Sequence, residues 1–171
     1  MNILILSGSP RAKSNTAAFV NAFREGAECA GHTVTVFPVG NMNIRPCLGC
    51  EYYHGRGAGT CIQQDDMQTL YPAISQAELI VLASPVHYWG FSGQMQAAIT
   101  RFYAPLKPDA KKYALILSSG SDDVYDGIIS QYHDMLRYFG AEDVGIRTVF
   151  GHDQQTEENL AMMRTFGAEI E

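Results

Sequence analysis

No stretch of the sequence approaches the ~20 apolar residues that cross a bilayer. No cluster of Lys and Arg is present either. The 12 basic residues are outnumbered by 18 acidic ones, giving a formal charge of -6. An anionic membrane and a nucleic acid are therefore poor partners. The amino end reads Met-Asn-Ile-Leu-Ile-Leu and passes directly into a Gly/Ser turn, without the basic and long apolar regions of a signal peptide. A cytoplasmic protein is expected. Cysteine is scarce: Cys29, Cys47, Cys50 and Cys61 only. In a reducing compartment these are thiols or ligands before they are structural disulfides. No Gly-rich loop ends in Gly-Lys-Ser/Thr, and no Gly-x-Gly-x-x-Gly occurs, which favours a monophosphate over a pyrophosphate as any phosphate ligand. No nucleophile elbow accompanies a Ser-His-Asp order, so hydrolase chemistry has no support.

What is present is globular. The 171 residues are 46% hydrophobic and 18% charged, enough to bury roughly 70% of the unfolded surface. Residues 1–171 are expected to form one domain. Apolar runs at Asn2–Leu6, Thr33–Val39, Leu79–Ala83, Tyr113–Leu117 and Val144–Phe150 read as strands, and continuous runs fit strands covered on both faces. Helical spacing lies between them at Thr16–Cys29, Asp66–Ser75, Gly93–Tyr103, Val124–Tyr138 and Glu157–Phe166. Five strands alternating with five helices predict a doubly wound α/β fold around a parallel sheet. Residues at about 40–64 are the exception, an irregular Gly-, Cys- and Tyr-rich insertion whose length suggests a function or a small structure of its own.

Two junctions carry chemistry. The first run leads into Ser7-Gly8-Ser9-Pro10-Arg11-Ala12-Lys13-Ser14-Asn15-Thr16 and then a helix. Free N–H groups and the positive end of a helix dipole attract an anion there. Ser9, Ser14 and Thr16 offer hydroxyls, Asn15 a cap or an amide, and Arg11 a charge for a phosphate. A plain capped strand–turn–helix junction would use the same residues. The third run leads into Ser84-Pro85-Val86-His87-Tyr88-Trp89-Gly90-Phe91-Ser92-Gly93. Aromatics and glycines at a strand's carboxyl end suit a flat ring, because ligands of open α/β sheets bind there. Core or subunit packing of Tyr88, Trp89 and Phe91 is the compatible alternative.

Together these two motifs resemble the NADPH-dependent FMN reductase superfamily, and within it the iron–sulfur flavoprotein branch. The resemblance spans nearly the whole chain in motif order. It implies a flavodoxin-like fold with five parallel strands in the order 2-1-3-4-5 and helices on both faces. It implies phosphate contacts from Ser9, Arg11, Ser14, Asn15 and Thr16, and a flavin ring against Pro85, Val86, His87, Tyr88, Trp89 and Gly90. A third contact loop is implied at Ser119, Gly120 and Ser121. It also implies FMN as cofactor, NADH or NADPH as donor, and a homodimer or homotetramer with the flavin at an interface.

The cysteines depart from that branch. Its compact motif resembles Cys-x-x-Cys-x-x-Cys, a spacer and a fourth Cys; here Cys47, Cys50 and Cys61 match, and Tyr53 stands at the third position. A four-iron cluster normally takes four thiolates, so an iron–sulfur cluster is not expected. A loop that keeps its shape without a cluster, zinc on Cys47, Cys50, Cys61 and His54, another cluster type, and a redox-active disulfide remain open. No metal site is favoured. Cys29 falls on a helical stripe and reads as a buried thiol. His133 and His152 read as surface or interface residues. Asp122, Asp123 and Asp126 read as helix-capping carboxylates. The expected activity is flavin-dependent electron transfer from NAD(P)H to a flavin, quinone or redox protein. An electron-transfer flavoprotein reduced by a ferredoxin-like partner, and a nonenzymatic flavin or metal sensor, are the competing classes.

Overall fold

A computed structural model of the chain describes residues 1–104 and 108–171. The elements are β1 (Asn2–Ser7), α1 (Asn15–Cys29), β2 (Thr33–Phe37), α2 (Met67–Gln76), β3 (Leu79–His87), β4 (Gly90–Phe91), α3 (Gly93–Thr100), β5 (Lys112–Ser119), α4 (Asp126–Phe139), β6 (Glu142–Phe150) and α5 (Glu157–Ala168). Five strands run parallel in the order β2-β1-β3-β5-β6, and β4 pairs antiparallel with the end of β3. This is the doubly wound order expected, with one two-residue strand added.

Alternation along the buried strands divides the core into two layers. Leu4, Leu6, Ile80, Leu82, Leu115 and Leu117 face one side and meet Leu70, Ile74, Met95, Ile128, Tyr132 and Leu136 from α2, α3 and α4. Ile3, Ile5, Leu79, Val81, Ala114 and Ile116 face the other side and meet Phe19, Phe23, Met163 and Phe166 from α1 and α5. Each fully buried side chain of this size contributes roughly 1.5–3 kcal/mol. Phe23 and Phe166 meet edge to face with ring centroids 5.3 Å apart. The two helices close this tightly because Gly26 and Gly167 lie at the crossing. A Cβ on Gly26 would sit 1.9 Å from Arg164 O, and one on Gly167 2.0 Å from Phe23 O.

Several boundaries differ from the sequence reading. β3 does not stop at Ala83 but continues to His87. The second strand ends at Phe37 and gives way to a 3-10 turn at Val39–Asn41, and the third helix ends at Thr100 with a 3-10 turn at Arg101–Tyr103. Cys29 is exposed, not buried: it is the last residue of α1, beyond the α5 crossing. The carboxylates after β5 do not cap α4. Its N-cap is Tyr125, which makes no side-chain cap bond, and of the three carboxylates only Asp126 lies in the first turn.

The segment between Asn41 and α2 has no helix or strand. It closes at its base, where Asp66 Oδ2 accepts from Asn43 N at 2.7 Å and Asp65 Oδ2 accepts from Arg45 N at 3.0 Å.

Candidate functional site

The carboxyl ends of β1, β3, β5 and β6 surround one cavity of about 300 Å³. Its wall includes Arg11, Ser14, Asn15 and Thr16 after β1, Pro85, Val86 and His87 at the end of β3, and Ser119 and Gly120 after β5. A second cleft of about 250 Å³ shares Val86, Ser119 and Gly120 and continues to Tyr88, Trp89, Ser121 and Val124. Twelve of the fourteen expected contact residues thus border one continuous groove. The exceptions are Ser9, which is buried and accepts a hydrogen bond from Arg11 N at 3.3 Å, and Gly90, which pairs with His87 in β4.

The end of the groove where a phosphate is expected follows from α1. Ser14 is extended (φ -132°, ψ 160°) and its Oγ accepts from Ala17 N at 3.1 Å, so Ser14 is the N-cap and Asn15 is not. The Asn15 and Thr16 N–H groups precede the first intrahelical bond, from Ala18 to Ser14. Thr16 Oγ1 and Ser118 Oγ share one hydrogen bond of 2.9 Å, which leaves one of their two hydroxyl hydrogens uncommitted. Arg11 adds a full positive charge. Although the chain is acidic overall, no Asp or Glu lies on this wall. The donors, the helix dipole and the missing carboxylates all suit an anion.

The end where a ring is expected is a strained hairpin. His87 pairs with Gly90, and the two residues between them, Tyr88 (φ 49°) and Trp89 (φ 60°), both lie in the left-handed region. That is the type I′ geometry, which favours Asn-Gly and penalises large side chains by roughly 1–3 kcal/mol each. The strain leaves Tyr88 97% and Trp89 58% exposed beside the cleft. Flat aromatic surface is held in solvent where a ring ligand would cover it. Ser92 locks the hairpin to the phosphate loop: its Oγ donates to Gly8 O at 2.7 Å and accepts from Met95 N at 3.2 Å, capping α3. Gly8 must stay small, since a Cβ there would lie 2.8 Å from Met95 Cβ.

A fourth segment was not foreseen. Gly151, His152 and Gln154, after β6, complete the cavity wall. Gly151 N donates to Ser119 O at 3.1 Å, and Gln155 Nε2 donates to Asn15 Oδ1 at 2.9 Å, latching this loop to β5 and α1. His152 and His133 are both exposed, as expected of surface residues; His152 also borders the cavity, and His133 pairs with Asp143 at 3.2 Å. No local pattern marks the loop; only the neighbouring strand order places it.

Gln154 also tests whether FMN fits. Its Oε1 is buried without a partner, in a wall already supplied with phosphate donors and aromatic surface. The groove thus offers cationic and N–H groups at one end, exposed rings at the other, and an unmet acceptor on the wall of the first cavity. These features fit a phosphorylated flavin.

The cysteine loop is built differently. Cys47, Cys50, Cys61 and His54 border a cavity of only about 30 Å³ with Arg101 and Tyr103. Among the described residues no group of three or more His, Cys, Asp and Glu side chains is placed to hold a metal ion. His54 Nε2 donates to Tyr103 O at 3.2 Å. Arg101, 1% exposed, donates to Asp65 Oδ2 at 2.7 Å, to Arg45 O at 2.9 Å and to Cys61 Sγ at 3.3 Å. Burial works to raise the Asp65 pKa, but hydrogen bonds from Arg101, Arg45 N and Met67 N outweigh it and hold the carboxyl below its usual range. The Tyr71 ring lies 5.9 Å from the guanidinium carbon, and burial pushes its phenol up to about 12. The Arg101 guanidinium ties the two ends of this loop together. Three cysteines, one already bonded to that cation, do not fit a four-iron cluster.

A parallel sheet in this order, with a phosphate-type helix start and aromatic groove at its carboxyl edge, defines a flavodoxin-like flavin-binding protein. Residues 1–155 match the family described as NADPH-dependent FMN reductase. The chain belongs to that family and is a flavin-dependent oxidoreductase of its kind. It is 28% identical over 180 residues to an iron-sulfur flavoprotein of Archaeoglobus fulgidus, covering 99% of this chain and 79% of that one. It is 29% identical over 157 residues to the iron-sulfur flavoprotein of Methanosarcina thermophila, covering 88% and 81%. Among solved structures, NAD(P)H:quinone oxidoreductase from Methanothermobacter marburgensis superposes with a TM-score of 0.80 at 22% identity, covering 98% of this chain and 94% of that one.

Proposed function

We propose that the chain, acting as one domain, holds FMN in the groove between Arg11 and Trp89, is reduced by NADH or NADPH, and delivers electrons to a quinone, a flavin or a redox protein. One observation carries this reading: residues far apart in sequence, Arg11–Thr16, Pro85–His87 and Ser119–Gly120, wall a single cavity that no carboxylate enters. When bound, the isoalloxazine supplies the two-electron chemistry.

The protein's part is orientation. Arg11, the Ser14 hydroxyl and the Asn15 and Thr16 N–H groups would hold the phosphate. The Pro85–Gly90 hairpin would present backbone and aromatic faces to the ring. Buried Thr16, Ser118 and Ser119 exclude water behind it. No side-chain acid or base is needed for hydride transfer, and among the described residues His87 and His152 are the candidates on the cavity wall. Exposed Tyr88 and Trp89 support a second copy of the chain closing over the flavin, as a homodimer or homotetramer. Two of the relatives are named iron-sulfur flavoproteins. The donor set around Cys61 supports a site here that works without one. Among the described residues no helix is long and apolar enough to cross a membrane.

The test is spectroscopic. Protein purified anaerobically should show flavin absorbance, or acquire it with added FMN, and bleach on addition of NADPH or NADH. A preparation that refuses FMN would refute the site. A flavin bleached only by a reduced ferredoxin would replace the nicotinamide donor with a protein. Stoichiometric iron with acid-labile sulfide would overturn the cluster-free reading.

A further inference from the structure

Gln154 is 4% exposed, lines the cavity, and belongs to none of the loops through which the flavin reading was drawn. Its Nε2 lies 2.7 Å from both Ser119 O and Gly151 O. Those carbonyls only accept, so the nitrogen must face them and the amide cannot flip. Its backbone is fixed too, because Asn159 Nδ2 donates to Gln154 O at 3.0 Å. The amide orientation is therefore set by the protein, and it leaves Oε1 buried with no donor. A buried acceptor without a partner is costly, and this one belongs to a side chain on a cavity wall, where a bound molecule can bring the donor.

We infer that Gln154 binds the ribityl chain of the flavin, its Oε1 accepting from a ribityl hydroxyl. This rests on the flavin reading and deepens it. The donor must be neutral and carried between phosphate and ring. A phosphate dianion has no proton to give, and Gln154 shares its cavity with Pro85, Val86 and His87 but does not border the cleft of Tyr88 and Trp89. A polyol fits this place, and the consequence is selection for flavins bearing one. The same residue ties β5 to β6 through Ser119 and Gly151, so ligand binding and closure of the fourth wall are linked.

The experiment uses three probes on the full chain: FMN, riboflavin, which lacks the phosphate, and lumiflavin, which lacks both phosphate and ribityl chain. Gln154→Leu should weaken FMN and riboflavin by a similar factor, about 3- to 10-fold, while lumiflavin changes less than about 2-fold. Equal weakening of all three would make Gln154 a structural latch only, and no weakening of any would remove it from the site; either overturns the inference. If Gln154→Leu does not fold, the wild-type Gln154 side-chain amide resonances decide. They should move with riboflavin and stay with lumiflavin, and the reverse pattern refutes the assignment. Wild-type protein that binds none of the three probes refutes the flavin reading itself.

Discussion

Arg101 Nη1 lies 2.7 Å from Asp65 Oδ2, and the two side chains are 1% and 0% exposed. This buried ion pair joins the turn after α3 to the base of the cysteine loop, across 36 residues of sequence.

Removing one partner strands the other charge. Asp65→Asn or Arg101→Met should each destabilise the fold by about 3–5 kcal/mol, whereas Asp65→Asn with Arg101→Met should cost less than the sum. Urea unfolding of the three variants checks this. Single variants within ~1 kcal/mol of wild type would show that the pair does not hold the loop.

The same pair predicts acid sensitivity. Because the folded pKa of Asp65 is lowered, its ionised form stabilises the fold. That contribution is complete above the unfolded value near ~3.9 and is lost as pH falls through the lower folded value. The urea midpoint of wild type should therefore decline more steeply below pH ~4 than that of Asp65→Asn. Parallel declines would assign the acid lability to other groups.

The left-handed Tyr88-Trp89 pair predicts a trade of stability for binding. Replacing both with Asn-Gly should relieve strain and raise stability by about 1–3 kcal/mol at each position while weakening FMN. Thermal unfolding and flavin titration read the two effects. A variant that is more stable and binds FMN unchanged would mean that the aromatics serve another surface.

Arg11→Ala should weaken FMN more than riboflavin, because the lost contact is to phosphate. Fluorescence titration with both ligands decides it, and equal weakening would remove Arg11 from the phosphate site.

Cys29 and Cys50 are exposed and Cys61 is buried. A thiol reagent should label the first two rapidly, and Cys61 only when the fold opens. Fast labelling of Cys61 in native protein would show that the Arg101 contact does not shield it.

The sequence by itself determined the class of fold. Continuous runs such as Leu79–Ala83 can only be covered on both faces, and Phe19, Val20 and Phe23 at helical spacing must turn one face inward. It also made the loop after β1 legible as a capped helix start suited to an anion, since Ser14, Asn15 and Thr16 act within one turn of the helix they begin. Tertiary structure alone decided the rest. That β3 runs through Pro85 to His87 depends on pairing with β4 and β5, which no local propensity encodes. Arg101 looks like an ordinary polar residue at a helix end until Asp65, Arg45 O and Cys61 Sγ converge on it. Gln154 looks like any loop glutamine until strand order sets its amide between two carbonyls. Local chemistry is written in short-range spacing. A buried charge or an unmet acceptor acquires its meaning from neighbours that only the assembled sheet brings within hydrogen-bonding distance.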